Sequence, residues 1–116
     1  MEILTHHQII DETVEYYSNN PRSVRVDGFC LYLGPNGEKC AFSRCLTDEG
    51  VAMVHFHENT RVGHEYLIHL KSQYQGKSVK FWRDLQRLHD NQSHWDNKEL
   101  TSIGKQYVEY LKNEYL

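Results

Sequence analysis

"DGFCLYLGPNGEKCAFSRC", residues 27–45, decides how this chain is read, because it holds all three cysteines within sixteen positions around a turn of Gly34, Pro35, Asn36 and Gly37. A type I turn over Pro35 and Asn36, followed by Gly37 in the left-handed conformation, is a common hairpin loop. "FCLYL" and "EKCAF" then become its two strands. Pairing Gly34 with Glu38 puts Tyr32 opposite Cys40 and Cys30 opposite Phe42 on one face, with Phe29, Leu31, Leu33 and Ala41 on the other. Both faces are largely apolar, so the hairpin is expected to be covered on both sides, with Cys30 and Cys40 in the core.

Upstream, "THHQIIDETVEYYSNNP" (5–21) sets Gln8 three residues after Thr5, a capping-box pattern, and places Ile9, Ile10, Val14 and Tyr17 on one helical stripe. Asn19, Asn20 and Pro21 end that helix, since proline disfavours helical backbone before it and cannot continue the ladder. Residues 22–27 run extended into the hairpin. Downstream, "VAMVHFH" (51–57) fits a strand or an apolar helical turn, "HEYLIHLKSQY" (64–74) is read as a helix, and Asn59, Thr60 and Gly63 mark a loop between them. "SVKFWRDLQRLHD" (78–90) has a cap at Ser78 and an apolar stripe of Phe81, Trp82, Leu85 and Leu88. "NQSHWDN" (91–97) reads as a loop, and residues 100–116 as a last helix with Ile103, Tyr107 and Leu111 at spacings of four. The fold class expected is α+β, a single small domain over residues 1–116, with a β-hairpin or short antiparallel sheet packed against three to four helices.

With 116 residues, 39% hydrophobic and 25% charged, the chain is long enough to bury one core. Its net charge of −3 argues against a general nucleic-acid binder, which would carry a strong basic excess. No apolar run is long enough to span a bilayer, and Met1 to Gln8 lacks the basic and apolar regions of a signal peptide, so a cytoplasmic location is expected. An odd cysteine count in a reducing compartment argues against a disulfide staple.

Cys30, Cys40, Cys45, His55 and His57 supply enough ligands for zinc, but no two cysteines have the two-to-four-residue gap that zinc knuckles favour. Buried free thiols are the preferred alternative, and no metal or cofactor is expected. A thiol nucleophile needs a histidine and an oxyanion donor, and no local signature of a cysteine enzyme surrounds these positions. His89 and Asp90 point different ways on a helix and are expected to cap its end, where an imidazolium is favoured by the dipole. GPNGEK lacks the length and the terminal Lys-Ser pair of a phosphate loop. Lys80, Arg83 and Arg87 share a helical face that would suit an acidic partner, although Asp84, four residues after Lys80, can pair with it and leave an ordinary solvated face. Arg22, Arg25 and Arg44 flank the hairpin. With Tyr32 and neighbouring tyrosines they would offer an anion site, or they edge the hairpin against strand addition.

Cys30 with Tyr32 two residues later, Cys40 followed by Ala41 and Arg44, and the helix "FWRDLQRLHD" (81–90) with Trp95 beyond it resemble a group of small, mostly uncharacterised proteins of bacteriophages and prophages. The resemblance covers residues 8–50 and 70–111; glycine often stands in the group where this chain has Ser43, and residues 51–64 lie outside it. It implies an accessory protein working in the cytoplasm of an infected bacterium. The function expected is stoichiometric, non-enzymatic binding and inhibition of a host protein, with counter-defence as its setting. The alternatives are a sponge for a small anionic ligand such as a nucleotide signal, and an enzyme built on Cys40 with a histidine.

Overall fold

Thr5 and Gln8 start the first helix as a reciprocal pair: the Thr5 hydroxyl accepts from the Gln8 N–H at 3.1 Å, and the Gln8 side chain accepts from the Thr5 N–H at 2.8 Å. The computed structural model describes residues 2–22, 39–55 and 64–116, and in it this helix, α1, spans His6–Asn19. Ile9, Ile10, Thr13 and Tyr17 are its buried face. Thr13 can lie there because its hydroxyl donates to the Ile9 carbonyl at 2.8 Å, which satisfies the buried polar group. Asn20 is already extended, as a residue before proline should be.

The strand expected over residues 38–42 does not reach Phe42. Phe42 has helical backbone, φ −80° and ψ −49°, and opens a turn of 3-10 helix at Ser43–Cys45. Helical dihedrals do not extend a pleated ladder, so Phe42 is not the strand residue its alternation suggested. The cause is local: the Cys40 N–H donates to the Ser43 hydroxyl at 2.9 Å, and the Arg44 N–H to the Cys40 carbonyl at 3.0 Å, which turns the chain. The GPNG turn, Cys30 and Tyr32 lie outside the described residues.

After the turn, Leu46 forms an antiparallel bridge with Leu70, flanked by Thr47 N–H to His69 O at 2.8 Å and Lys71 N–H to Cys45 O at 2.9 Å. Between these segments α2 spans Asp48–His55, so "VAMVH" takes the helical of its two expected forms. Only one turn of the expected helix over 64–74 forms, α3 at His64–Leu67, followed by a 3-10 turn at Ser72–Tyr74. Gln75 explains the early stop, its amide donating to the Leu67 and Leu70 carbonyls at 3.1 and 2.9 Å.

Helix α4, Val79–Asp90, begins where Ser78 accepts from the Phe81 N–H at 3.1 Å and buries Phe81, Trp82, Leu85 and Leu88 as the stripe requires. The segment 91–97, read as a loop, carries the first strand of a pair whose second strand ends at Leu100, where the last helix was expected to begin. After a 3-10 turn at Gln92–His94, β1 (Trp95–Asp96) pairs antiparallel with β2 (Glu99–Leu100), Trp95 opposite Leu100 and Asp96 opposite Glu99. Asn97 takes φ 57° in the connection, a conformation asparagine tolerates well. The Trp95 indole donates to the Leu88 carbonyl at 2.7 Å and holds the hairpin against the end of α4.

Helix α5, Ser102–Glu114, is rotated from the expected stripe. Gly104, Val108 and Leu111 are buried, whereas Ile103 faces out. A Cβ at Gly104 would lie 2.2 Å from the His94 carbonyl oxygen. The helix descends on the hairpin with its smallest residue, and this contact fixes its rotation. The result is an α+β fold in which helices pack on a short antiparallel hairpin, around edge-on rings such as Phe42 and Phe81 with centroids 5.5 and 5.3 Å from that of Trp82. Among the described residues no helix is long and apolar enough to cross a membrane.

Candidate functional site

Arg44, expected beside the hairpin as an anion contact, is spent inside the fold. Its guanidinium donates to Glu12 of α1 at 2.6 Å, to the Thr13 hydroxyl at 3.1 Å and to the Tyr74 hydroxyl at 3.4 Å, with Nε buried and lacking an acceptor. It lies 5.3 Å from the Tyr16 ring centre and 5.8 Å from that of Tyr74, and its side chain is 8% exposed. The Tyr74 hydroxyl donates a short hydrogen bond to the same Glu12 oxygen. Burial pushes Glu12 upward, but hydrogen bonds from Tyr74 and Arg44 outweigh it and leave its pKa below the ordinary value. This cluster fastens α1 to the 3-10 turns at Ser43–Cys45 and Ser72–Tyr74 and leaves no open guanidinium fork for a phosphate or carboxylate. Arg25 and Tyr32 lie outside the described residues.

Arg22 reaches the C-terminal end of α4. Its guanidinium donates to the His89 carbonyl at 2.5 Å, in the last turn of α4, and lies 5.8 Å from the Trp95 ring centre. A cation at this point complements the carbonyl end of the helix.

His89 does not cap α4 as an exposed imidazolium. It is fully buried, its ring edge-on to Tyr17 at 5.0 Å, and its Nδ1 donates to the Asp90 carboxylate at 2.8 Å. The two neighbouring side chains meet in the last turn of the helix, where Gln86 also donates to Asp90 at 2.7 Å. Burial lowers the His89 pKa and prevails over Asp90, which favours the charged form. Gln86 also accepts the Phe42 N–H at 3.1 Å, so the turn after Cys40 is tied to α4.

Cys40 and Cys45 are free and buried. The Ser43 N–H donates to the Cys40 sulfur at 3.3 Å, and the Cys45 thiol points at the Ala41 carbonyl at 3.6 Å. Burial pushes the two thiols up to about 11 and about 12. Since the thiolate is the nucleophile, burial and the raised pKa both disfavour reaction of these thiols at neutral pH. Of the alternative zinc set, Cys30 and His57 lie outside the described residues and His55 ends α2; among the described residues no group of three or more His, Cys, Asp or Glu is arranged to hold a metal.

The basic stripe of α4 is present as expected, and so is its pairing. Lys80 contacts the buried Asp84 at 2.9 Å and Glu114 of α5 at 3.2 Å, while Arg87 lies 3.5 Å from the second Asp84 oxygen. The same carboxylate accepts the Tyr115 hydroxyl at 2.5 Å, and the Asp84 backbone carbonyl accepts the Tyr107 hydroxyl at 2.7 Å. Burial pushes Asp84 upward, yet the Tyr115 and Lys80 hydrogen bonds overcome this and lower its pKa. Arg83 stands half-buried on the same ridge. Beside it α5 turns Ile103 and Tyr110 outward, a feature whose only sequence signal was the glycine next to Ile103. Compared with known proteins, the chain matches no family model, no curated protein and no solved structure.

Proposed function

We propose that this protein acts by one-to-one binding to another protein, as an accessory inhibitor of a host factor, and not by turnover. One observation carries this reading. Among the described residues, Cys40 and Cys45 are buried thiols and the Arg44 guanidinium is engaged by Glu12, while the exposed large hydrophobic side chains of α5 are Ile103 and Tyr110. Tyrosine beside aliphatic and arginine side chains is the composition typical of protein interfaces. The host setting, the bacterial cytoplasm and the role in counter-defence rest on the resemblance to phage and prophage proteins.

A titration tests it. Against the host activity it blocks, inhibition should saturate near one protein per target, and native mass spectrometry should show the intact complex. Inhibition at strongly substoichiometric amounts, with a modified product building up over time, would show turnover and refute the binding reading.

A further inference from the structure

His6 is the first residue of α1, and its ring lies where three helices meet. The ring centre is 4.7 Å from that of Phe81 in the first turn of α4 and 5.1 Å from that of Tyr115, which follows α5. Phe81 and Tyr115 also touch, their centres 5.0 Å apart, and Phe81 is fully buried while His6 is partly exposed, so the imidazole forms part of its cover. The position suits a neutral ring. A cation in the first turn of a helix opposes the helix dipole. Lys77, just before the Ser78 cap of α4, adds a second cation; its ammonium reaches the Gln75 carbonyl at 3.5 Å and meets no carboxylate among the described residues. His7, next in α1, has its Nε2 2.8 Å from the Lys112 carbonyl of α5. The carboxylates of this corner, Asp84 and Glu114, are both engaged by Lys80, whose ammonium also lies 5.2 Å from the Tyr115 ring centre, so that ring already serves a cation. Burial, then Lys77 and His7, accordingly lower the His6 pKa from its ordinary 6.5.

We infer that His6 is an acid-sensitive clip: the neutral ring holds the start of α1 against Phe81 and Tyr115, and the protonated ring leaves them, parting the first turn of α1 from the end of α5 and uncovering Phe81. The opening is local. The buried face of α1 begins at Ile9, and Glu12 and Thr13 are held by Arg44, so the helix beyond its first turn stays in place. The sign follows from linkage: the freed ring has the ordinary pKa of 6.5 and the clipped ring a lower one, so opening takes up a proton and grows as pH falls through 6.5. One such group raises the open population by up to about tenfold between pH 7.5 and 5.5. The device does not depend on what the protein binds.

The test follows the full chain, isotope-labelled, by NMR from pH 7.5 to 5.5. The His6 ring protons should titrate below 6.5, and K77Q should move that midpoint up. Leu4 N–H, bonded to the Gln73 carbonyl at 2.9 Å, and Ile9 N–H, bonded to that of Thr5 at 3.0 Å, report the clip by hydrogen exchange corrected for its intrinsic pH dependence. Their exchange should speed up severalfold across this range in the wild type and in H89Q, less in K77Q, and not at all in H6F, whose ring fills the corner but takes no proton. Circular dichroism confirms that the variants fold, and the titration with K77Q decides the matter without H6F. A His6 midpoint at or above 6.5, or one that K77Q leaves in place, would overturn the inference. So would a rise that persists in H6F, which would assign it to His7 or another group, and a rise that H89Q abolishes, since these amides would then report opening of the whole fold.

Discussion

Glu12 and Arg44 form a pair whose two halves are unequally buried, and that inequality predicts the sign of a double-mutant experiment. The Arg44 side chain is 8% exposed and that of Glu12 39%. Glu12→Gln keeps an acceptor oxygen for Arg44 and Tyr74 but removes the charge, leaving a guanidinium buried with no carboxylate and with an Nε that already lacks an acceptor. Loss of one partner from a buried pair costs about 3–5 kcal/mol, discounted here to about 2–3 kcal/mol because a neutral hydrogen bond remains. At about 4 °C per kcal/mol that is about 10 °C in Tm. Arg44→Met should cost less, about 1 kcal/mol: Glu12 can turn to water and keep its Tyr74 bond, and the thioether can pack on the Tyr16 and Tyr74 rings that the guanidinium covered. Adding Arg44→Met to Glu12→Gln should therefore raise stability, since it removes the orphaned charge. Urea denaturation of the four proteins measures this, and a double variant no more stable than Glu12→Gln alone would refute the reasoning. The pH dependence follows with a definite sign. Because the folded Glu12 pKa lies below its ordinary 4.5, its stabilisation is present above that value and is lost as pH falls through the folded pKa, and Glu12→Gln should lack that component.

Gly104→Ala should destabilise by about 2–3 kcal/mol despite the better helix propensity of alanine, because the added methyl meets the His94 carbonyl oxygen at 2.2 Å; an unchanged melting temperature would mean the α5–hairpin contact is wrong. Native Cys40 and Cys45 should react with a thiol reagent near pH 8 orders of magnitude more slowly than after unfolding, given thiols pushed up to about 11 and about 12, and rapid native labelling of either would place it at the surface. His89 should make the fold acid-sensitive in the histidine range: buried against Tyr17 and beside Asp90 and Arg22, its folded pKa lies below 6.5, so the unfolded chain takes up the proton first and stability falls as pH drops below that value. His6 contributes with the same sign, so the check is the slope that His89→Gln removes between pH 7.5 and 5.5, and an unaltered slope would count against a buried neutral His89.

Helices α1 and α4 were legible because two independent signals agree in each, a capping side chain and an apolar stripe, and local hydrogen bonds satisfy both without help from distant residues. The strand pair at 95–100 was not legible, because strands of two residues are too short to show alternation; what makes them pair is the Trp95 indole reaching back to Leu88 and Asn97 turning the chain. The cysteine-rich stretch misled at Phe42 for the converse reason. Its alternation is real, but Ser43 offers the backbone a competing local hydrogen bond, and the turn takes Cys40 and Cys45 into the core by a helical route.

The candidate site shows the same division more sharply. Spacing alone put Lys80 within reach of Asp84, and the pair forms, since residues four apart on a helix are neighbours whatever lies around them. It could not show that Arg44 would be buried against Glu12, thirty-two positions away, or that α5 would settle with Gly104 inward and Ile103 outward, because both outcomes depend on contacts between elements distant in sequence. A helix with apolar residues at 103, 107, 108, 110 and 111 has more than one stripe to bury. The backbone approach at Gly104 decides in favour of Val108 and Leu111, and the rejected stripe of Ile103 and Tyr110 is left facing out beside the α4 arginines. A packing constraint on one side of α5 thus decides which apolar side chains the other presents to solvent, so a change at Gly104 that rolls the helix should alter the exposure of Ile103 and Tyr110 even though Gly104 itself is buried.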